Sequence, residues 1–143
     1  MTHGMVCAPQ QETVDAGLDV LRGGGNVMDA AIAAALVQTV VDPQMCGIAG
    51  FGSMQIYCAD TGEHTYIDFH GRAPLSTRPD MWEHMIVREC DDGFGFVLKG
   101  EVNEIGYTSM TTPMTLKALA EGLERFGTRP LDELIQPAIA YCE

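Results

Sequence analysis

Basic residues are scarce in this sequence. Eight Lys and Arg stand against twenty Asp and Glu, a formal charge of −12, and the eight are scattered along the chain. Holding nucleic acid or an anionic membrane takes clustered cations, so neither is expected as a partner. Metal-ligand patterns are missing too. Cys7, Cys46, Cys58, Cys90 and Cys142 are odd in number and share no short spacing, and His3, His64, His70 and His84 show none either. No metal and no cofactor are expected. Free buried thiols and the lack of a basic-then-apolar leader after Met1 favour a reducing, cytoplasmic setting. Nucleophile and phosphate signatures are also lacking. Ser53, Ser76 and Ser109 have no Gly-x-Ser-x-Gly context, and the glycines of 47–52 fit neither phosphate-loop template.

What the sequence does have is one apolar stretch that organises the rest. After Gly23-Gly24-Gly25-Asn26 comes Val27-Met28-Asp29-Ala30-Ala31-Ile32-Ala33-Ala34-Ala35-Leu36-Val37-Gln38-Thr39-Val40-Val41, closed by Asp42-Pro43. Asn26 suits an N-cap, Asp29 suits the positive end of the helix dipole, and Pro43 turns Asp42 away from helical angles. A helix apolar nearly all round has no solvated face and belongs inside other layers. At about fifteen residues it falls short of the roughly 20 that span a bilayer.

Around it, 143 residues suffice for one domain with a core. Residues 1–9 read as an opening strand ended by Pro9. Residues 12–22 read as a helix with Val14, Leu18 and Leu21 on one face, Gln11 or Thr13 as cap and Gly23 as left-handed stop. Residues 54–57 and 64–69 form a hairpin about Asp60-Thr61-Gly62. It empties into His70-Gly71-Arg72-Ala73-Pro74, a polar loop at a strand end, where binding residues concentrate. Arg72 reads there either as a binding residue or as a plain surface arginine. A helix is expected over 77–87, a turn at 91–95, a loop at 100–103 and a short strand at 107–110. Another helix is expected after Thr112-Pro113, with Thr112 as cap and Leu116, Leu119, Leu123 and Phe126 inward. The last helix, from Pro130, is still running at Glu143, which suggests a cut chain. The hydroxyls of Thr111 and Thr112 fit capping better than nucleophilic attack.

Four stretches, in order, carry a resemblance that covers nearly the whole chain. They are Gly4-Met5-Val6-Cys7-Ala8-Pro9; Gly17-Leu18-Asp19-Val20-Leu21-Arg22-Gly23-Gly24-Gly25-Asn26 with Asp29-Ala30-Ala31; Gly47-Ile48-Ala49-Gly50-Phe51-Gly52 with Met54 and Tyr57; and Gly106-Tyr107, Pro113, Gly122-Leu123, Phe126-Gly127 and Leu134-Ile135-Gln136-Pro137-Ala138. Together they resemble the N-terminal part of the large subunit of the γ-glutamyltransferases (γ-glutamyltranspeptidases). The resemblance implies an α+β fold, the N-terminal portion of the αββα sandwich of N-terminal-nucleophile hydrolases, with residues 1–143 an incomplete domain. It further implies a self-cleaving precursor whose small subunit begins with the nucleophilic threonine. That threonine attacks γ-glutamyl amides such as glutathione, with its own α-amine as base.

No catalytic residue of that kind lies in this chain, so the resemblance implies the small subunit and a small-molecule γ-glutamyl substrate as partners. The 143 residues alone are expected to be inactive. One family residue should fall here. The family reads Asp-Phe-Arg-Glu-x-Ala-Pro, its arginine gripping the substrate α-carboxylate, against Asp68-Phe69-His70-Gly71-Arg72-Ala73-Pro74 here. His70 takes the arginine position, Gly71 the glutamate position, and Arg72 stands two residues on, so Arg72 and His70 are the substrate-binding candidates. Ala49, Phe51 and Ser53 depart from the family's Gly, Gly and Phe. These departures keep open a related acylase with a different acyl group, and a non-catalytic homologue that only packs against a partner.

Overall fold

At the centre of the fold stands α2 (Val27–Val41), fifteen residues long and closed at its start by a reciprocal cap. The Asp29 N–H donates to Asn26 Oδ1 at 2.9 Å, and the Asn26 N–H donates to Asp29 Oδ2 at 2.8 Å. The computed structural model describes residues 4–143. Around α2 pack α1 (Gln11–Arg22), α3 (Thr115–Phe126), α4 (Leu131–Leu134) and α5 (Gln136–Ala140). Ile32, Leu36 and Val37 of α2 are fully buried, each stabilising by roughly 1.5–3 kcal/mol relative to exposure. The enclosed rod expected from the sequence is present except along one stripe, where Val27 and Ala31 meet solvent.

Asp29 does more than cap. Its carboxylate is wholly buried, and the turn before α4 wraps onto it. The Thr128 N–H (2.8 Å), the Thr128 hydroxyl (2.5 Å) and the Arg129 N–H (3.1 Å) all donate to it. Asn26 Nδ2 donates to the Phe126 carbonyl at 2.7 Å, and the Arg129 guanidinium to the Gly23 carbonyl. Burial alone pushes the Asp29 carboxyl up, but the hydrogen bonds from Thr128, Asn26 and Arg129 outweigh it and hold the group below the usual carboxylate range. A short-range signal, Asn-x-x-Asp, thus fastens two segments a hundred residues apart.

The remaining part of this helical unit is a hairpin. Strands β1 (Ser53–Cys58) and β2 (Glu63–Asp68) pair antiparallel with Ser53 opposite Asp68, and Gly62 takes the left-handed angle the turn needs (φ 70°). Ile56, Ile67 and Phe69 point into the core, while Gln55, Tyr57, His64, Tyr66 and Asp68 are exposed, the alternation a half-buried sheet requires.

The chain divides into two units: residues to His70 with Pro113–Glu143, and the arm Gly71–Thr112. In the arm, β3 (Ile86–Glu89) and β4 (Phe96–Leu98) form a second antiparallel hairpin, irregular between Ile86 and Arg88.

Several expectations need correction. Residues 4–8 form no strand, because no ladder partner exists among the described residues, and 1–3 lie outside them. In α1, Gln10 holds the cap position without a side-chain bond, and the Thr13 hydroxyl donates instead to Gln38 Oε1 at 2.8 Å. The left-handed residue after α1 is Gly24 (φ 87°) rather than Gly23. Residues 77–87 make turns, a short 3₁₀ segment and the start of β3; Pro79 and the β-branched Ile86-Val87 oppose a helix. Residues 107–109 form a 3₁₀ turn, not a strand. Helix α3 begins at Thr115, not beside Thr112, and buries Ala118, Leu119, Gly122 and Leu123 while Leu116 is exposed. Pro137, which lacks an N–H, divides the last helix into α4 and α5.

Candidate functional site

The polar loop after β2 begins on the outer face of the hairpin. Gly52 and Phe69 exchange backbone bonds (Phe69 N–H to Gly52 O, 3.1 Å; Gly52 N–H to Phe69 O, 3.4 Å), which carries the β1–β2 register one pair beyond the strands. A Cβ on Gly52 would meet the Phe69 ring at 2.9 Å, so glycine lets that ring slide beneath the backbone. The same register sets Phe51 opposite His70, and their rings lie 5.5 Å apart, tilted by 35°. Period two puts Asp68 beside His70 on that face. Asp68 Oδ1 lies 3.0 Å from His70 Nδ1 and accepts the His70 backbone N–H, also at 3.0 Å. An imidazole that gives its Nδ1–H to a carboxylate has a fixed ring plane and turns Nε2 outward.

Arg72 is the second residue of the arm, and its setting is different. Its carbonyl accepts the Thr112 N–H at 2.9 Å, forming an isolated bridge between the two ends of the arm. Beside it, Gly71 lies hard against the Thr111 side chain. The Arg72 side chain is exposed and has no carboxylate partner among the described residues. By contrast Arg22, Arg78, Arg88, Arg125 and Arg129 each pair with an acid.

The structure therefore brings His70 together with Asp68 and Phe51, and fastens Arg72 by its backbone to Thr112. The partners of His70 were within reach of the sequence: strand alternation groups Asp68 with His70, and the hairpin register adds Phe51. Nothing local in the sequence joins Gly71 to Thr111, forty residues away.

A complete catalytic constellation is not formed among the described residues. The Ser109 and Thr108 hydroxyls donate to the Gly106 and Val102 carbonyls, so neither faces a base. The Cys46 thiol is pushed up by burial and by the nearby Asp42 charge, which disfavours the thiolate a nucleophile needs. No group of three or more acidic, Cys or His side chains among the described residues is arranged to hold a metal ion. No helix among them is long and apolar enough to cross a membrane. The segment after β2 carries an imidazole set against an aromatic neighbour and, in the arm, a guanidinium with no carboxylate partner among the described residues on a backbone bridged to Thr112.

Comparison with known proteins gives this geometry a context. The family model described as gamma-glutamyltranspeptidase matches residues 13–143. The chain is 38% identical to the glutathione hydrolase proenzyme of Bacillus subtilis (strain 168), over 98% of its own length and 22% of the relative's. It is 37% identical to the acylase ACY 1 proenzyme of Pseudomonas sp. (strain V22), over 99% of its length and 25% of the relative's. The crystal structure of Helicobacter pylori gamma-glutamyltranspeptidase superposes with a TM-score of 0.84 at 30% identity, covering all of this chain and 38% of that one. The chain thus spans 22–25% of the length of these two curated relatives.

Proposed function

The chain belongs to the γ-glutamyltranspeptidase family, and from that premise we propose that it is the N-terminal portion of the large subunit of an enzyme that transfers or hydrolyses γ-glutamyl groups of glutathione-like amides. In this reading the nucleophile is a threonine outside these residues, freed by self-cleavage at the start of the small subunit. The partners are that small subunit and a small-molecule γ-glutamyl donor. This chain supplies one wall of the donor pocket, with Arg72 as the grip on the α-carboxylate. The five thiols, none in a disulfide, suit a reducing, cytoplasmic compartment.

One observation carries the choice of Arg72 over His70. In a chain of charge −12, Arg72 alone among the arginines has no carboxylate partner among the described residues, whereas His70 is already committed to Asp68. A permanently charged planar fork matches a carboxylate with two parallel hydrogen bonds. In the mature two-subunit protein, Arg72→Ala is expected to raise KM for a γ-glutamyl anilide about a hundredfold with kcat little changed, the loss of about 3 kcal/mol of charge-assisted binding. His70→Ala is expected to change it by less than about threefold, since the His70 ring is already engaged by Asp68.

A second reading has its own observation. His70, on Asp68 and Phe51, stands where the family places its carboxylate-gripping arginine, and a relative of nearly equal identity is named an acylase. A related acylase acting on a different acyl group follows if both substitutions leave γ-glutamyl KM alone while His70→Ala lowers turnover of other acyl amides.

A further inference from the structure

The carboxylate grip has a backbone on which it depends, and the arm shows how that backbone is set. A Cβ built on Gly71 would lie 2.2 Å from Thr111 Oγ1 and 2.8 Å from Thr111 Cβ. Rotating the threonine about χ1 moves its oxygen away but leaves its Cβ, which is fixed to the main chain. Any side chain at position 71 therefore has to push the two backbone segments apart. The next residue pair is the Arg72–Thr112 bridge, whose 2.9 Å hydrogen bond is the one ladder contact between these segments. Separating 71 from 111 lengthens that bond directly.

Resting on the reading of Arg72 as the donor's carboxylate grip, we propose that Gly71 and Thr111 form a steric interlock that positions Arg72. The missing side chain of one residue is the seat for the other. Gly71 and Thr111 touch no substrate in this account; they set where the guanidinium starts from. Misplacement of a binding group by about 1 Å costs up to about a hundredfold, so the interlock bears on donor binding more than on the chemical step.

The test uses the mature two-subunit protein and two readouts. One is KM and kcat for a γ-glutamyl anilide; the other is the rate of tryptic cutting at the Arg72–Ala73 bond in the folded enzyme, followed by mass spectrometry. Gly71→Ala is expected to raise KM about tenfold with kcat within about threefold, and to speed cutting at Arg72 about tenfold. Adding Thr111→Gly removes the opposing atoms and is expected to return both readouts to the starting values. If Gly71→Ala alone does not mature, the double variant is expected to recover both maturation and KM.

Unchanged cutting and KM in Gly71→Ala would overturn the interlock, as would a double variant that stays impaired. Failure of the grip itself looks different. There Arg72→Ala leaves KM unchanged, while cutting at Arg72 in Gly71→Ala and in the double variant, which keep the arginine, still reports whether Gly71 and Thr111 hold the bridge together.

Discussion

The helical unit and the arm treat their apolar residues in opposite ways. In the first, Ile32, Leu36, Val37, Leu119 and Leu134 disappear from solvent around one central helix. In the arm, Leu98 is the buried large apolar side chain among the described residues, whereas Leu75, Val87, Phe94, Ile105 and Tyr107 are largely exposed. Polar groups follow suit. The helical unit buries a carboxylate and satisfies it with four hydrogen bonds, while the arm's bonds are the β3–β4 hairpin, short-range turn contacts and one bridge at its base. The first region encloses its central helix on most faces. The second is anchored at its ends, and it is at one of those ends that Arg72 stands.

The sharpest way to break this contrast is to remove the buried carboxylate. Asp29→Ala leaves the N–H groups of Asn26, Thr128 and Arg129 without the buried acceptor they share. Each such orphan costs about 1–3 kcal/mol, less than additively, for a total of about 4 kcal/mol. Hydrogen exchange in the mature protein should show lost protection across α2 and the segment after α3, with arm peptides unchanged. Loss spread evenly over both regions would mean that they unfold as one cooperative unit.

Acid tests the same group with its sign fixed. The folded-state pKa of Asp29 is lowered, so its stabilisation is present above the ordinary carboxylate value of about 3.9 and is lost as pH falls through the lowered folded value. The midpoint of thermal unfolding should therefore fall on acidification below about pH 4. Asp29→Asn should flatten that part of the profile.

The same contrast governs how much could be read from the sequence. Where one stretch determines its own structure, the reading held: Asn26 as cap, α2 as a mostly enclosed rod, the turn at Gly62, the alternation through Ile56 and Ile67. Where distant contacts decide, it did not. Thr112 has the chemistry of a cap, yet its N–H is taken by the Arg72 carbonyl and α3 starts three residues later. Met81, Trp82 and Met85 carry a helical spacing, but Pro79 and the pairing of β3 with β4 override it. At the site, the motif singled out Arg72 and His70 as candidates; the Asp68–His70 contact follows from strand alternation but was not anticipated. The Gly71–Thr111 contact had no local signature at all.

A smaller effect comes from trimming the core. Leu36 is 1% exposed on the face of α2 enclosed by neighbouring helices, so Leu36→Ala should cost about 3 kcal/mol through lost burial and a residual cavity. Exchange should accelerate by roughly a hundredfold in α2 if that region opens as a unit. A cost below about 1 kcal/mol would place the rod in a loosely packed setting and weaken the contrast drawn above.

The smallest effect is expected in the arm, and it decides whether the contrast is a property of the sequence or of what surrounds it. Val87 is 64% and Phe94 89% exposed. Surface that already faces water in the folded state gives up little when made polar, so Val87→Ser and Phe94→Ser should each shift stability by under about 0.5 kcal/mol. Arm peptides in the mature protein should then exchange at unchanged rates. A cost approaching that of Leu36→Ala would mean that these side chains are covered by another polypeptide in the mature protein. The arm would then be a second core completed from outside, and Arg72 would be held from that side as well as by its bridge to Thr112.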